Sequence, residues 1–69
     1  MSKVINKNLI KGKLVMKGMN YAMVSSRLGI AMPTFQNKMS GKTEFTLSEA
    51  FQLCDMIGLD SVEELYKEE

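Results

Sequence analysis

Apolar residues recur along the chain with a helical period. Pairs at i, i+4 are Ile10 and Leu14, Val24 and Leu28, and Phe35 and Met39. This spacing places both members of a pair on one face of a helix. No segment alternates apolar and polar residues as a half-buried strand does. The pattern therefore predicts an all-α fold.

Capping and turn residues divide this pattern into five predicted helices, at about 8–17, 21–28, 33–40, 47–57 and 62–66. Asn20 is a favourable N-cap for the second helix. Thr46 and Glu49 have the spacing of a capping box for the fourth helix, and Ser61 and Glu64 repeat it for the fifth. Five short helices joined by tight turns indicate one compact domain covering 1–69.

The last two predicted helices have distinct apolar surfaces. The fourth is expected to bury a wide stripe formed by Leu47, Ala50, Phe51, Cys54 and Ile57. Val62, Leu65 and Tyr66 give the fifth helix more apolar surface than so short a terminal helix can easily bury in its own domain. We therefore expect a homodimer built partly from the fifth helix.

Charge is divided unevenly between the two parts of the chain. The net charge is +1, but residues 1–42 hold eight basic residues and no acid, whereas residues 43–69 hold eight acids and one lysine. The two parts therefore carry +8 and −7. Such asymmetry indicates an anionic partner for the basic part, although a simply solvated surface is the alternative interpretation.

Composition argues against several classes of function. With no histidine and one cysteine, Cys54, the chain offers neither a Ser-His nor a Cys-His nucleophile pair, and a metal site would need carboxylates alone. We expect no catalytic residues, no metal, no cofactor, no small-molecule substrate and no association with a membrane. A cytoplasmic protein is expected, with Cys54 as an inert core residue.

The segment 20–42 contains two predicted helices separated by a turn of about three residues. So short a turn makes the helices cross steeply, as in a helix-turn-helix. The crossing needs a small residue where the helices touch, which Ser25 supplies, and Gly29 supplies the positive φ of the turn. Ile30, Phe35 and Met39 are expected to fix the second of these helices to the core.

These residues resemble the lambda-repressor-like family, the repressor and Cro proteins of phages and their chromosomal relatives. The matching positions are Asn20, Val24, Ser25, Leu28-Gly29-Ile30, Phe35, Met39, Ser40-Gly41-Lys42, Thr46-Leu47 and Gly58-Leu59. The chain departs from the family pattern at Tyr21, Ala31, Met32 and Pro33. Within the matching segment 40–42, Ser40 replaces the asparagine that is common in the family. The resemblance implies a five-helix fold and sequence-specific binding of double-stranded DNA by a phage-type transcriptional regulator, with helix 33–40 in the major groove.

The resemblance also implies a site. With Phe35 and Met39 facing inward, Asn37 points most directly outward, and asparagine and glutamine amides pair well with adenine. Base contacts are expected from Met32, Thr34, Gln36 and Asn37. Phosphate contacts are expected from Asn20, Tyr21, Lys38, Ser40, Lys42 and Thr43. For the helix face the alternative is an ordinary solvated surface, and for Tyr21 it is partial packing on the core.

Two other functions remain open from the sequence. The acidic C-terminal segment, with Leu65 and Tyr66, is also consistent with a protein-interaction module in which the helix-turn-helix is only a scaffold. A DNA-binding factor that controls excision or replication rather than transcription fits the same residues. DNA affinity that falls steeply with salt distinguishes the first of these from a DNA reader.

Overall fold

The computed structural model describes residues 3–68, so Met1, Ser2 and Glu69 of the predicted domain lie outside the described residues. The elements in chain order are β1 (Lys3–Ile5), α1 (Lys7–Met16), α2 (Tyr21–Leu28), α3 (Met32–Ser40), α4 (Leu47–Ile57), a 3₁₀ turn (Val62–Leu65) and β2 (Tyr66–Glu68). The chain is mostly helical, as predicted, but the described part has four α-helices and a small sheet rather than five helices.

Local signals set the ends of the helices. Asn20 Oδ1 accepts a hydrogen bond from the Met23 amide at 2.9 Å, which starts α2 as predicted. The capping box of α4 is also present, since Glu49 N–H donates to Thr46 Oγ1 at 3.1 Å and Thr46 N–H donates to Glu49 Oε1 at 2.8 Å. Helix α1 begins one residue earlier than predicted, after the N-cap Asn6, and α3 one residue earlier, after Ala31.

The predicted fifth helix is wrong. The Glu64 carboxylate accepts from the amides of Asp60 and Ser61, at 2.8 and 3.0 Å, but the turn that follows is a single 3₁₀ turn. At Tyr66 the backbone is already extended, with φ −121° and ψ 157°. The chain leaves the helical conformation there because Tyr66–Glu68 pairs with β1.

The small sheet joins the two ends of the described chain. Strands β1 and β2 are antiparallel, with Lys3 opposite Glu68, Val4 opposite Lys67 and Ile5 opposite Tyr66. The Asn6 amide also donates to the Leu65 carbonyl at 2.7 Å. Three-residue strands are too short to show a recognisable alternation, so the sequence pattern did not predict them.

One apolar core lies between the helices and the sheet. Its buried members are Ile10, Leu14, Val24, Phe35, Met39, Ala50, Leu53, Cys54, Ile57 and Leu65. Burial raises the pKa of the Cys54 thiol, which agrees with its predicted place in the core. The predicted stripe on α4 is partly wrong: Leu53 is buried, whereas Leu47 and Phe51 are 66% and 58% exposed.

The C-terminal segment buries the apolar side chains that were expected to form a dimer surface. Leu65 is fully buried, and Val62 and Tyr66 pack against the core from its edge. These residues therefore leave less apolar surface for a partner than expected, and the homodimer stays a prediction. The large apolar side chains that α4 leaves exposed are Leu47 and Phe51 instead.

The crossing of α2 and α3 depends on a small residue and a tight turn. Ser25 is 4% exposed, and its hydroxyl donates to the Ala22 carbonyl at 3.1 Å, so the polar atom is satisfied in the core. Gly29 has φ 74°, a conformation that side chains rarely adopt, and the Ile30 amide closes the turn on the Ser25 carbonyl at 3.0 Å. The predicted positive φ of Gly29 is confirmed, and Ser25 is buried, while its place at the contact between the two helices stays a prediction.

None of the helices in residues 3–68 is both long enough and apolar enough to cross a bilayer.

Candidate nucleic-acid interface

Helix α3 is fixed to the core by one face and presents the other to solvent. Phe35 and Met39 are 0% and 1% exposed. The four residues expected to contact bases all lie on the exposed side: Met32, Thr34, Gln36 and Asn37. The predicted division of α3 into a buried and an exposed face is therefore confirmed, while base contact stays a prediction.

Aromatic packing holds Phe35 in place. The Tyr21 ring meets it edge-on at 5.1 Å between centroids, and the Phe45 ring lies at 6.0 Å. Tyr21 is half-buried, and burial raises the pKa of its phenol. The ring of Tyr21 thus belongs to the support of α3, as the packing alternative for this residue predicts, and its phosphate contact stays a prediction.

Asn20 is exposed at the start of α2. Its side-chain oxygen is occupied by the Met23 amide, but an asparagine amide also has two N–H donors. A phosphate oxygen accepts hydrogen bonds and offers no donor of its own. The side-chain NH2 group of Asn20 is therefore the part of the amide that is suited to bind a phosphate.

The loop that follows α3 is organised around the backbone carbonyl of Asn37. This oxygen accepts from the Lys42 amide at 2.9 Å and from the Ser40 hydroxyl at 3.0 Å. Lys42 and Thr43 are exposed. The Ser40 hydroxyl donates its single proton to the Asn37 carbonyl, so it must break this hydrogen bond before it can donate to a phosphate. The side-chain ammonium of Lys42 takes no part in the cap and can bind a phosphate without breaking it.

Lys38 is engaged inside the domain. Its ammonium lies 2.7 Å from Glu49 Oε1 and donates to the Glu44 carbonyl at 3.1 Å, and the side chains of Lys38 and Glu49 are 10% and 14% exposed. The Lys38 hydrogen bond holds the pKa of the Glu49 carboxyl below its ordinary value. Lys38 therefore joins α3 to the start of α4, and the ammonium is less free for a phosphate than that of Lys42.

The double role of Glu49 gives a prediction about acid stability. We expect Glu49→Gln to lower the free energy of unfolding near neutral pH by about 1–3 kcal/mol, because it removes a charge-assisted hydrogen bond and weakens the α4 cap. The folded-state pKa of Glu49 lies below the ordinary pKa of a glutamate in an unfolded chain. The carboxylate therefore stabilises the fold above that ordinary pKa, and the contribution disappears as the pH falls through the lowered pKa.

Urea unfolding between about pH 3 and 7 measures this effect. The wild type should lose more stability on acidification than Glu49→Gln does, and Lys38→Met should show the same reduced dependence. If all three proteins lose stability in parallel, the pair does not control the acid response.

A concavity of about 390 Å³ lies beside the loop after α3, and we call it the basic cleft. Lys3 and Lys7 line it from β1 and the start of α1, and Ser40, Gly41 and Thr43 line it from the end of α3 and the loop. The two lysines were not predicted to lie near the interface, because the strand that positions Lys3 was not predicted. The only sequence signal was their membership of the basic part of the chain.

Within residues 3–68, no group of three or more histidine, cysteine, aspartate or glutamate side chains is close enough together to hold a metal ion.

No family model matches this chain, and searches of curated proteins and of solved structures likewise return no match. The geometry of α2, α3 and the following loop is therefore the basis for a functional proposal.

Proposed function

We propose that this chain binds double-stranded DNA sequence-specifically and acts as a lambda-repressor-like transcriptional regulator, with α3 in the major groove and α2 across the backbone. The main observation in support is the two-sided character of α3. Phe35 and Met39 anchor the helix, and the opposite face is exposed and mainly polar, with Met32 as its one large apolar side chain. A helix held this rigidly can present Asn37 and Gln36 to base edges in a fixed register.

The electrostatic pattern supports the same proposal. Every basic residue but Lys67 lies in residues 1–42, which include α2, α3 and the start of the loop. DNA binding gains much of its affinity from cations that displace counterions at phosphates. The acidic residues are concentrated from 44 onward, on the loop, α4 and the C-terminal segment.

We further propose that the DNA-bound form is a homodimer. One short helix reads few base pairs, and a symmetric pair reads two half-sites about 34–36 Å apart. Because the C-terminal segment packs inside the domain, we place the self-contact at Leu47 and Phe51, which are exposed at i, i+4 on α4; Val15 and Met16 at the end of α1 are the other strongly exposed apolar pair.

Selection of bound duplexes from a random pool tests the proposal directly. A dimeric regulator should enrich a two-fold symmetric site with half-sites about one DNA turn apart. Enrichment of a single unrepeated half-site would contradict the dimer, and the absence of any enriched sequence would contradict specific binding.

The salt dependence of binding provides a second test. We expect the logarithm of the binding constant to fall linearly with the logarithm of salt concentration, reporting about three to five neutralised phosphates per protomer. Lys42→Ala should weaken binding to all sequences alike and reduce the slope by about 0.9, the loss of one phosphate contact. Lys67→Ala is the control, since Lys67 is exposed on β2 in the acidic part of the chain. Salt-independent binding would contradict the electrostatic basis of the proposal.

A protein-interaction module is the second candidate, and the exposure of Leu47 and Phe51 is the observation that favours it. In that case Phe51→Ser would abolish function in the cell, while DNA affinity in vitro would be absent in the wild type as well. A factor for excision or replication control is a further form of the DNA-binding proposal, and the position of the selected site relative to promoters separates it from a regulator of transcription.

A further inference from the structure

The basic cleft is formed by parts of the chain that are far apart in sequence. Lys3 and Lys7 lie on one side, and Ser40, Gly41 and Thr43 lie on the other. Its volume is about 390 Å³. Since a water molecule occupies about 30 Å³ of liquid, the cleft has room for a hydrated phosphate group together with side-chain ammonium groups.

Charge in the cleft comes mainly from one lysine. The Lys38 ammonium also lines the cleft but is paired with Glu49. Lys3 lies opposite Glu68 in the sheet, which offsets part of its charge. Lys7 is exposed, and among residues 3–68 no carboxylate lies within ion-pair distance of it. Lys7 is therefore the strongest free cation on this side of the loop.

One carboxylate opposes this positive charge. Glu44 lines the cleft and is exposed. Burial of the Tyr66 phenol is the main cause of its raised pKa, and the negative charge of Glu44 raises that pKa further. Tyr66 lines the same cleft from β2. Glu44 is thus the group expected to repel an anion that enters here.

The backbone around the two lysines is held in place by the tertiary structure. Lys3 belongs to β1, which pairs with β2, and the Asn6 amide donates to the Leu65 carbonyl at 2.7 Å, just before Lys7 begins α1. Because these backbone positions are already ordered, binding an anion orders only the side chains. The entropic cost of the contact is correspondingly small.

We infer that the basic cleft binds a backbone phosphate of DNA beyond the base pairs that α3 reads, with Lys7 as the principal ligand and Lys3 as a second. The inference rests on the proposed function, because it extends the phosphate surface of the loop. Ser40 and Thr43, two of the expected phosphate contacts, line the same cleft as Lys7. A DNA strand that reaches Ser40 and Thr43 would therefore lie at the edge of the cleft that the two lysines line.

The salt dependence of binding to the selected duplex measures this contact. Lys7→Ala should reduce the slope of the logarithmic plot by about 0.9 and weaken binding without changing the order of preference among single-base variants of the site. Lys7→Arg should keep the wild-type slope. Lys17→Ala is the matched control, because Lys17 is an exposed lysine just past the opposite end of α1.

Phosphate ethylation interference identifies the contacted group itself. For the wild type, ethylation of at least one phosphate outside the base pairs read by α3 should interfere with binding, and Lys7→Ala should lose that interference while keeping the interference near Lys42. This measurement distinguishes a DNA backbone phosphate from a free phosphate ion, because binding of the free ion in the cleft would produce no ethylation interference.

Removal of the opposing charge gives an effect of opposite sign. Glu44→Gln should tighten binding roughly two- to fivefold, since it removes one exposed repulsive charge from the cleft. Glu63→Gln is the control, because Glu63 is exposed on the 3₁₀ turn and does not line the cleft.

The outcomes distinguish this inference from the proposed function. If the wild type binds its selected site with a salt slope, and Lys7→Ala and Lys17→Ala both retain that slope and the same interference pattern, the phosphate site in the cleft is wrong and the DNA-binding proposal stands. If the wild type enriches no duplex, both proposals fail. Circular dichroism of Lys7→Ala should match the wild type, because the residue is exposed.

Discussion

Phe35→Ala should lower the free energy of unfolding by about 3–5 kcal/mol, the cost of removing a buried aromatic ring and leaving a cavity. Phe35 is 0% exposed and lies between the rings of Tyr21 and Phe45. A domain of 69 residues has little stability to spare, so a loss of this size should leave much of the population unfolded at room temperature. DNA binding should be lost with the fold, for every sequence alike.

Urea unfolding followed by circular dichroism measures the effect, and Phe51→Ala is its matched control. Phe51 is a phenylalanine on a neighbouring helix that is 58% exposed, so at protein concentrations that keep the chain monomeric its truncation should change stability by no more than about 0.5 kcal/mol. Similar losses in the two variants would mean that the burial of the Phe35 ring does not account for its contribution to stability.

Asn37→Ala should abolish discrimination at one base-pair position in each half-site, at a cost of roughly 1–3 kcal/mol for the preferred base. Asn37 is exposed on the side of α3 away from Phe35 and Met39. The backbone carbonyl of Asn37 caps the loop through Ser40 and Lys42, and alanine keeps that carbonyl. Stability should therefore change little while specificity changes much.

Binding measured against the selected site and all its single-base variants tests this expectation. Gln52→Ala is the control, since Gln52 is an exposed amide on α4, away from the reading face, and should leave the whole preference profile unchanged. If Asn37→Ala discriminates among the variants as the wild type does, then α3 does not read DNA through this residue. Together with Phe35→Ala, the result separates the residue that reads DNA from the residue that holds the reader in place.

Lys38 shows how a site residue chosen from sequence can acquire another role in the fold. The family resemblance implied a phosphate contact for Lys38, but the side chain reaches Glu49 on α4 instead. Glu49 was expected only to cap its own helix, and it does so with the same oxygen that meets Lys38. No spacing rule within one helix predicts a pair of residues eleven positions apart in different helices.

The sequence by itself determined the four α-helices, because their signals are local. An N-cap such as Asn20, a capping box such as Thr46 with Glu49, and a glycine at a positive φ such as Gly29 each act within one or two turns of backbone. The i, i+4 pair Phe35 and Met39 likewise determined which face of α3 is buried, and therefore which residues are exposed as candidate readers.

Only the tertiary structure decided the features that depend on distant parts of the chain. The last segment became a strand because Tyr66–Glu68 pairs with Lys3–Ile5, and this pairing outweighs the local capping signal at Glu64. The choice among the apolar residues of α4, with Leu53 buried and Phe51 exposed, followed from where α2 and the C-terminal segment pack. The basic cleft has the same origin, since Lys3 on β1 and Thr43 in the loop after α3 line one cavity only in the folded chain.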